Sequence, residues 1–245
     1  YPVVVNEIAI PTMIRREVSY GNAVHCGEMI LERLVARHVC IDEIQDTLAQ
    51  GVIPVVTSSY EELLEQLHPD VVVDAILAKK NLGTTRLDAP FVIGVGPGFS
   101  AGRDVNVVIE TMRGHNLGRC IYDGEAEPNT GIPGNVGGYT HERVIHSPKA
   151  GLFTAKRHIG DEVQANEVIG YVDEEPVRAK ITGTLRGILK TGLIVSDHFK
   201  LADVDARCEE SHCYSISDKS LAVGGGVLEA VTAWDYERNK DGKHL

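Results

Sequence analysis

The chain has 245 residues, 43% hydrophobic and 24% charged, enough to bury the core of one large domain or two ordinary ones. A net charge of −11 argues against a general nucleic-acid or anionic-membrane binder, which would carry a basic face, yet leaves room for a local phosphate site. Five cysteines (Cys26, Cys40, Cys120, Cys208 and Cys213) form an odd set with no compact framework, so reduced thiols and a cytoplasmic setting are expected.

The opening Tyr1-Pro2-Val3-Val4-Val5-Asn6-Glu7 lacks the basic region and cleavage pattern of a signal peptide, and no later segment approaches the ~20 apolar residues of a membrane helix. Residues 2–9 read as a short buried parallel strand. Glu7 stands where a Rossmann domain places a ribose-binding acid, but the strand and glycine turn that should precede it are not in the sequence; a capping or exposed carboxylate is the other reading. Residues 15–39 break into short alternating pieces and assign no element. Asp42-Glu43-Ile44-Gln45 is a capping-box pattern that opens a helix over 42–50, closed by Gly51. Val52 to Val56 follows as a strand, and Ser59-Tyr60-Glu61-Glu62 opens a second helix that ends at His68-Pro69. The runs 71–77 and 91–95 are strand-like, which completes the βαβ rhythm of a doubly wound sheet. Residues 123–140 are rich in turn formers, including Gly131-Ile132-Pro133-Gly134 and Gly137-Gly138.

A repeat follows. Gly151 recurs as Gly183, Gly160 as Gly192, Val163 as Val195, Ile169 as Leu201 and Val172 as Val204, each pair 32 residues apart. A fixed spacing of this kind is the mark of a duplicated structural unit. The tail passes through Gly224-Gly225-Gly226 into Val227, Leu228, Val231 and Trp234 at helical spacing, a helix expected to pack back onto the first domain.

Several residue sets carry candidate chemistry. The loop Gly94-Val95-Gly96-Pro97-Gly98-Phe99-Ser100-Ala101-Gly102 leaves a buried strand at the sheet edge that favours ligands, and amides of Gly96, Gly98 and Gly102 suit an anion. It has neither the dinucleotide-loop nor the P-loop spacing, and a tight structural turn is the alternative. Lys79 and Lys80 end the preceding strand, where they meet a phosphate or form a solvated edge. Asp218 and Lys219, then Gly224, Gly225 and Gly226 ahead of a helix, form a second anion cradle or a flexible turn. Cys208, His212 and Cys213 supply three soft ligands without a fourth, so no metal site is assigned; Cys213 or Cys208 remains a candidate nucleophile. There is no Ser-His-Asp order, no GxSxG elbow and no HExxH, hence no recognisable catalytic motif.

The half-starts Ser147-Pro148-Lys149-Ala150-Gly151 and Ala179-Lys180-Ile181-Thr182-Gly183, with Ile159-Gly160-Asp161-Glu162-Val163, resemble a biotinyl/lipoyl-like barrel-sandwich hybrid. In carrier domains the modified lysine occupies the hairpin between the halves. Here that hairpin is Asp173-Glu174-Glu175-Pro176, so the resemblance implies a positioning or docking module with no covalent biotin or lipoyl. Taken whole, the chain resembles the selenium-dependent molybdenum hydroxylase system accessory (maturation) protein family. The resemblance is carried by Asn6-Glu7-Ile8-Ala9-Ile10-Pro11, Ile14-Arg15-Arg16, Val72-Val73-Asp74-Ala75-Ile76-Leu77-Ala78-Lys79-Lys80-Asn81 and Gly96-Pro97-Gly98-Phe99. It continues in Glu110-Thr111-Met112-Arg113-Gly114-His115, Asn129-Thr130-Gly131, Ser217-Asp218-Lys219 and Gly224-Gly225-Gly226-Val227-Leu228-Glu229-Ala230.

The expected fold is α/β: a Rossmann-like parallel-sheet domain (1–122 plus 214–240), a loop-rich connection (123–145) and a β-rich barrel-sandwich hybrid domain (146–206). The resemblance implies an accessory protein that binds a small phosphorylated ligand, a nucleotide or the molybdenum cofactor. Its partner would be a molybdenum hydroxylase or its maturation machinery, with neither nucleic acid nor membrane. Two alternatives stand beside it: a thiol-based sulfur- or selenium-transfer enzyme, and a pure docking scaffold.

Overall fold

A computed structural model describes residues 1–241. The chain is mixed α/β, with parallel and antiparallel sheets and few helices. It divides into two compact units, one formed by 1–59 with 132–216, the other by 60–131 with the described residues from Ser217 to Asp241. The strands expected in a single α/β body over 1–122 fall instead into two four-stranded sheets, one in each unit, with Ser100–Ala101 in a separate two-stranded ribbon with Gly124–Glu125. Strand rhythm alone does not reveal where one sheet stops and another begins.

In the first unit, Val5–Asn6, Ile53–Val56 and Leu34–His38 lie side by side in parallel, and Glu28–Leu31 adds an antiparallel edge. The last two strands form a hairpin across Glu32 (φ 46°) and Arg33 (φ 79°), both in the left-handed region that matches strand twist. Neither turn residue is the usual glycine or asparagine, which is why the pattern over 15–39 assigned no element. The helix expected over 42–50 is Ile44–Ala49, entered through a 3-10 turn at Ile41–Glu43 and closed by Gly51 at φ 72°. Its capping box starts two residues earlier than the pattern suggests: the Cys40 amide donates to Glu43 Oε2 at 2.8 Å.

The 32-residue repeat builds two four-stranded antiparallel sheets in the same unit. One runs Val144–His146, Lys200–Asp205, Gly183–Ile188, Glu162–Val163; the other runs Glu175–Arg178, Val168–Val172, Gly151–Ala155, Leu193–Val195. Exchanging the two halves of the repeat converts one sheet order into the other. Each sheet thus draws two strands from each half, so neither half closes alone. The repeat-related residues Val163 and Val195, Ile169 and Leu201, and Val172 and Val204 all enter one buried core with Phe153 and Leu185.

In the second unit, Val71–Asp74, Phe91–Val95 and Val107–Ile109 are neighbouring parallel strands, with Cys120–Ile121 antiparallel at the edge. The helix Tyr60–Leu67 leads into the first strand. A long helix, Asp218–Asp241, covers one face of the sheet, packing Val223, Val227, Ala230, Val231 and Trp234 against Phe91, Ile93, Val95, Val107 and Ile109. Trp234 stacks on Phe91 with ring centroids 5.4 Å apart. The helix begins well before the predicted glycine turn, because Ser217 caps it: its Oγ accepts the Ser220 amide at 3.2 Å and its carbonyl accepts Leu221 N at 2.9 Å. No helix among the described residues is long and apolar enough to cross a membrane.

Candidate anion site at a sheet edge

In the second unit the carboxyl ends of three parallel strands release three loops at one edge, the position where open α/β sheets bind ligands. The first loop is anchored by buried Asp74, whose Oδ2 accepts Thr84 Oγ1 at 2.7 Å and whose Oδ1 accepts Ile76 N at 3.1 Å. Beyond it Leu77 (φ 60°) and Lys79 (φ 65°) are non-glycine residues in the left-handed region, strain on the order of 1 kcal/mol apiece of the kind that concentrates at functional sites.

The second loop closes on the first through Gly98, where a Cβ would stand 2.6 Å from the Lys80 Cα at φ 111°. Gly96 likewise leaves room for Thr111, whose Oγ1 would lie 2.8 Å from an added Cβ. The third loop is held by Glu110, buried at 2% exposure, whose Oε1 accepts Met112 N at 2.7 Å and whose Oε2 accepts Glu127 N at 2.8 Å. It carries Arg113, whose guanidinium grips Asp218 with two hydrogen bonds, at 2.5 and 2.8 Å.

The start of the long helix joins these loops. Lys219, half-buried in its first turn, has its ammonium pushed below the ordinary lysine range, first by burial, then by Lys79 and Arg113, with Glu110 opposing. Three cations from three chain segments therefore share one neighbourhood. Among the described residues no carboxylate pairs with Lys219 or Lys79: Glu110 is committed to two amides and Asp218 is engaged by Arg113.

The predicted amide cradle needs correction. Gly96 N donates to Ile109 O and Gly102 N to Val105 O, both at 2.9 Å, so neither amide is available to a ligand. Gly224, Gly225 and Gly226 lie inside the helix, where amides serve the helical ladder. Gly226 is there for packing, since a Cβ would stand 2.1 Å from Gly118 O. Among the described residues only Gly98 of these glycines keeps an amide without a protein acceptor. Side chains rather than glycines supply the site. Lys79 and the Asp218–Lys219 pair, read from the sequence as parts of two separate cradles, lie in one neighbourhood, and Lys80 is exposed on the adjoining backbone. Arg113 and Glu110 enter the sequence reading only within a motif of the family resemblance, with no site role; their signal is a charged pair three residues apart immediately after a buried strand.

The thiol candidates belong to the first unit and do not form a site together. Cys213 is 1% exposed, and burial raises its thiol against the opposing pull of Arg15 and Arg186. A buried, raised thiol is a poor nucleophile. Cys208 is exposed, at φ 54°. Among the described residues no three His, Cys, Asp or Glu side chains are gathered to hold a metal. Two open hollows lie apart from the cation cluster: one of about 410 Å³ beside Cys40 and Ser58 in the first unit, and one of about 550 Å³ beside His68 and Asn106 in the second.

No protein-family model matches the chain. The uncharacterized protein YqeB of Escherichia coli (strain K12) is 46% identical over 232 residues, covering 94% of this chain and 43% of that protein. The chain thus spans less than half the length of this curated relative. Among solved structures, a succinylglutamate desuccinylase/aspartoacylase from Rhodobacter sphaeroides is 21% identical over 26% of this chain and 21% of its own, with a TM-score of 0.22. The product-bound ectoine utilization protein EutE (DoeB) from Ruegeria pomeroyi is 20% identical over 34% of this chain and 27% of its own, with a TM-score of 0.26. Likenesses this partial carry no argument about fold or activity.

Proposed function

We propose that this protein binds a small phosphorylated ligand at the sheet edge of its second unit and acts as an accessory protein in the maturation of a selenium-dependent molybdenum hydroxylase. The observation that carries the binding half is the convergence of Lys79, Lys219 and Arg113, of which Lys79 and Lys219 pair with no carboxylate among the described residues. Like charges held together at a strained loop are unfavourable unless an anion compensates them. The accessory role is supported by the motif resemblance along the chain. In the same reading the second unit is the Rossmann-like element, and the two-sheet repeat is a barrel-sandwich hybrid that positions partners, because its Asp173–Glu174 turn has no lysine to modify.

Calorimetry with inorganic phosphate, a nucleoside triphosphate and the molybdenum cofactor tests the binding half. Saturable binding that weakens as salt rises is expected, and the absence of binding by all three would remove the proposal. The docking-scaffold alternative has one observation in its favour: Leu152 (47% exposed) and Ile194 (86% exposed) are cross-strand partners on the face of one repeat sheet.

A further inference from the structure

The two halves of the repeat part company at one residue. In the first half Phe153 pairs with Val172, Thr154 with Tyr171 and Ala155 with Gly170, in unbroken register. In the second half Leu185 pairs with Val204, but Gly187 rather than Arg186 pairs with Asp203, so Arg186 is an extra residue bulged out of the ladder. A bulge re-aims a side chain and is over-represented beside functional sites. Arg186 stands where the first half has exposed Thr154, yet its own side chain is only 12% exposed.

Two other segments of the same unit cover it. Ile14 O accepts the Ile188 amide at 2.9 Å, which lays the following Arg15 across Gly187; a Cβ on that glycine would stand 3.0 Å from Arg15 Cδ. Arg15 Nη2 then donates to His212 O at 3.0 Å, in the short 3-10 turn that also carries buried Cys213.

The nearby carboxylates do not complete these two guanidiniums. Asp203 is paired with Arg143, and Asp205 takes three hydrogen bonds from Arg207. Arg186 Nη1 is left 3.6 Å from Asp205 Oδ2, too far for a hydrogen bond. Arg15 Nε, Arg186 Nε and His212 Nδ1 are all buried, with no hydrogen-bond partner among the described residues. Four guanidiniums thus share two carboxylates, and Arg15 and Arg186 are the two left without one. Buried donors and buried like charges are both costly unless something accepts and balances them.

We infer that Arg15 and Arg186 hold a small monovalent inorganic anion of chloride size on their Nε–H groups, with His212 Nδ1 as a third donor. Three single donors suit a spherical ion, which accepts hydrogen bonds from any direction; the four oxygens of a phosphate would ask for more. The ion fastens the segment at Ile14-Arg15 and the turn at His212 onto the bulged strand. It belongs to the first unit and does not depend on the phosphate site of the second.

The test follows amide hydrogen exchange of the full chain in sodium chloride and in sodium gluconate at matched ionic strength, gluconate being too bulky for a buried site. The amides of Ile188 and Tyr214 should exchange about tenfold more slowly in about 100 mM chloride, as for a dissociation constant of about 10 mM. Arg15→Met, which keeps an apolar stem over Gly187, should abolish the difference. Should that variant not fold, crystals of the wild-type chain grown in bromide decide the matter, with an anomalous peak expected at the two Nε atoms. Equal exchange in the two salts, or crystals without that peak, overturns the inference and leaves the donors to water. Slowing that persists in Arg15→Met puts the chloride elsewhere and overturns it as well.

Discussion

The two-sheet repeat and the sheet edge of the second unit are both crowded with charge, and they resolve it in opposite ways. In the repeat, Arg143 pairs with Asp203. Asp205, 1% exposed, takes two hydrogen bonds from the Arg207 guanidinium, at 2.9 and 2.5 Å, and one from the Arg207 amide at 3.1 Å, with Arg186 at 3.6 Å. Burial alone would raise the Asp205 carboxyl; the hydrogen bonds from Arg207 and the nearby guanidiniums hold it below the usual range instead. Even there the crowding is felt: Arg15, donating to His212 O at 3.0 Å, is pushed down to about 10 by burial and then by Arg186. At the sheet edge Glu110 and Asp218 are engaged elsewhere, and among the described residues no carboxylate pairs with Lys79 or Lys219. Paired charges hold a fold together, whereas charges left open are available to a ligand; around Asp203 and Asp205 the pairing stops short only at the buried Nε atoms of Arg15 and Arg186, which have no hydrogen-bond partner among the described residues.

The sharpest way to break this contrast is to open the closed network. Asp205→Ala should destabilise the chain by about 3 kcal/mol in urea unfolding, because it strands buried guanidinium charge; partial water access to Arg207 keeps the loss at the lower end for a broken buried pair. The sign with pH follows from linkage. A carboxyl with a depressed folded pKa contributes its stability above the unfolded value and loses it as pH falls through the folded one. Stability curves of wild type and Asp205→Ala should therefore converge on the acid side. Asp218→Ala at the exposed Arg113 pair should cost no more than about 1 kcal/mol, so equal losses at the two sites would erase the distinction.

Packing at the second unit's glycines comes next in size. Gly226→Ala places a methyl group 2.1 Å from Gly118 O, and overpacking against backbone should cost about 2 kcal/mol net, read as a lower urea midpoint. Lys79→Ala should follow with about a tenfold loss in phosphate affinity, roughly 1.4 kcal/mol, and no loss of stability. A variant that binds phosphate as well as wild type would detach Lys79 from the site.

The sequence made the duplicated module visible because a fixed 32-residue interval constrains many buried positions at once, and Val163 and Val195 or Val172 and Val204 are legible as equivalent core residues. The hairpin at Glu32-Arg33 was hidden, since its left-handed turn is built from residues that rarely adopt that conformation. The division of strands between two sheets was hidden as well, because parallel strands read as apolar runs whichever neighbours they pair with. At the site, the lysines at strand and helix ends were legible from position alone. What Glu110 and Arg113 do depends on hydrogen bonds to Met112, Glu127 and Asp218, and the last of these lies 105 residues away.

The smallest expected effect bears most directly on how the glycine triplet is read. A triplet near a helix start suggests a loop whose bare amides cradle an anion, but the helix opening at Asp218 removes Gly224 and Gly225 from that role. Beyond the helix's own adjacent backbone, no described atom lies within 4 Å of a Cβ built on either residue, so packing gives no reason for them. Helix propensity then predicts that Gly225→Ala raises stability by about 0.8 kcal/mol, measured as a higher urea midpoint at unchanged slope. Phosphate affinity should stay at the wild-type value, because the amide is already spent inside the helix. A Gly225→Ala variant that gained no stability and lost phosphate binding would mean that the helix's first turns unwind to meet the ligand. The glycines would then belong to the site, and the separation drawn between packing at Gly226 and charge at Lys219 would fail along the helix that carries both.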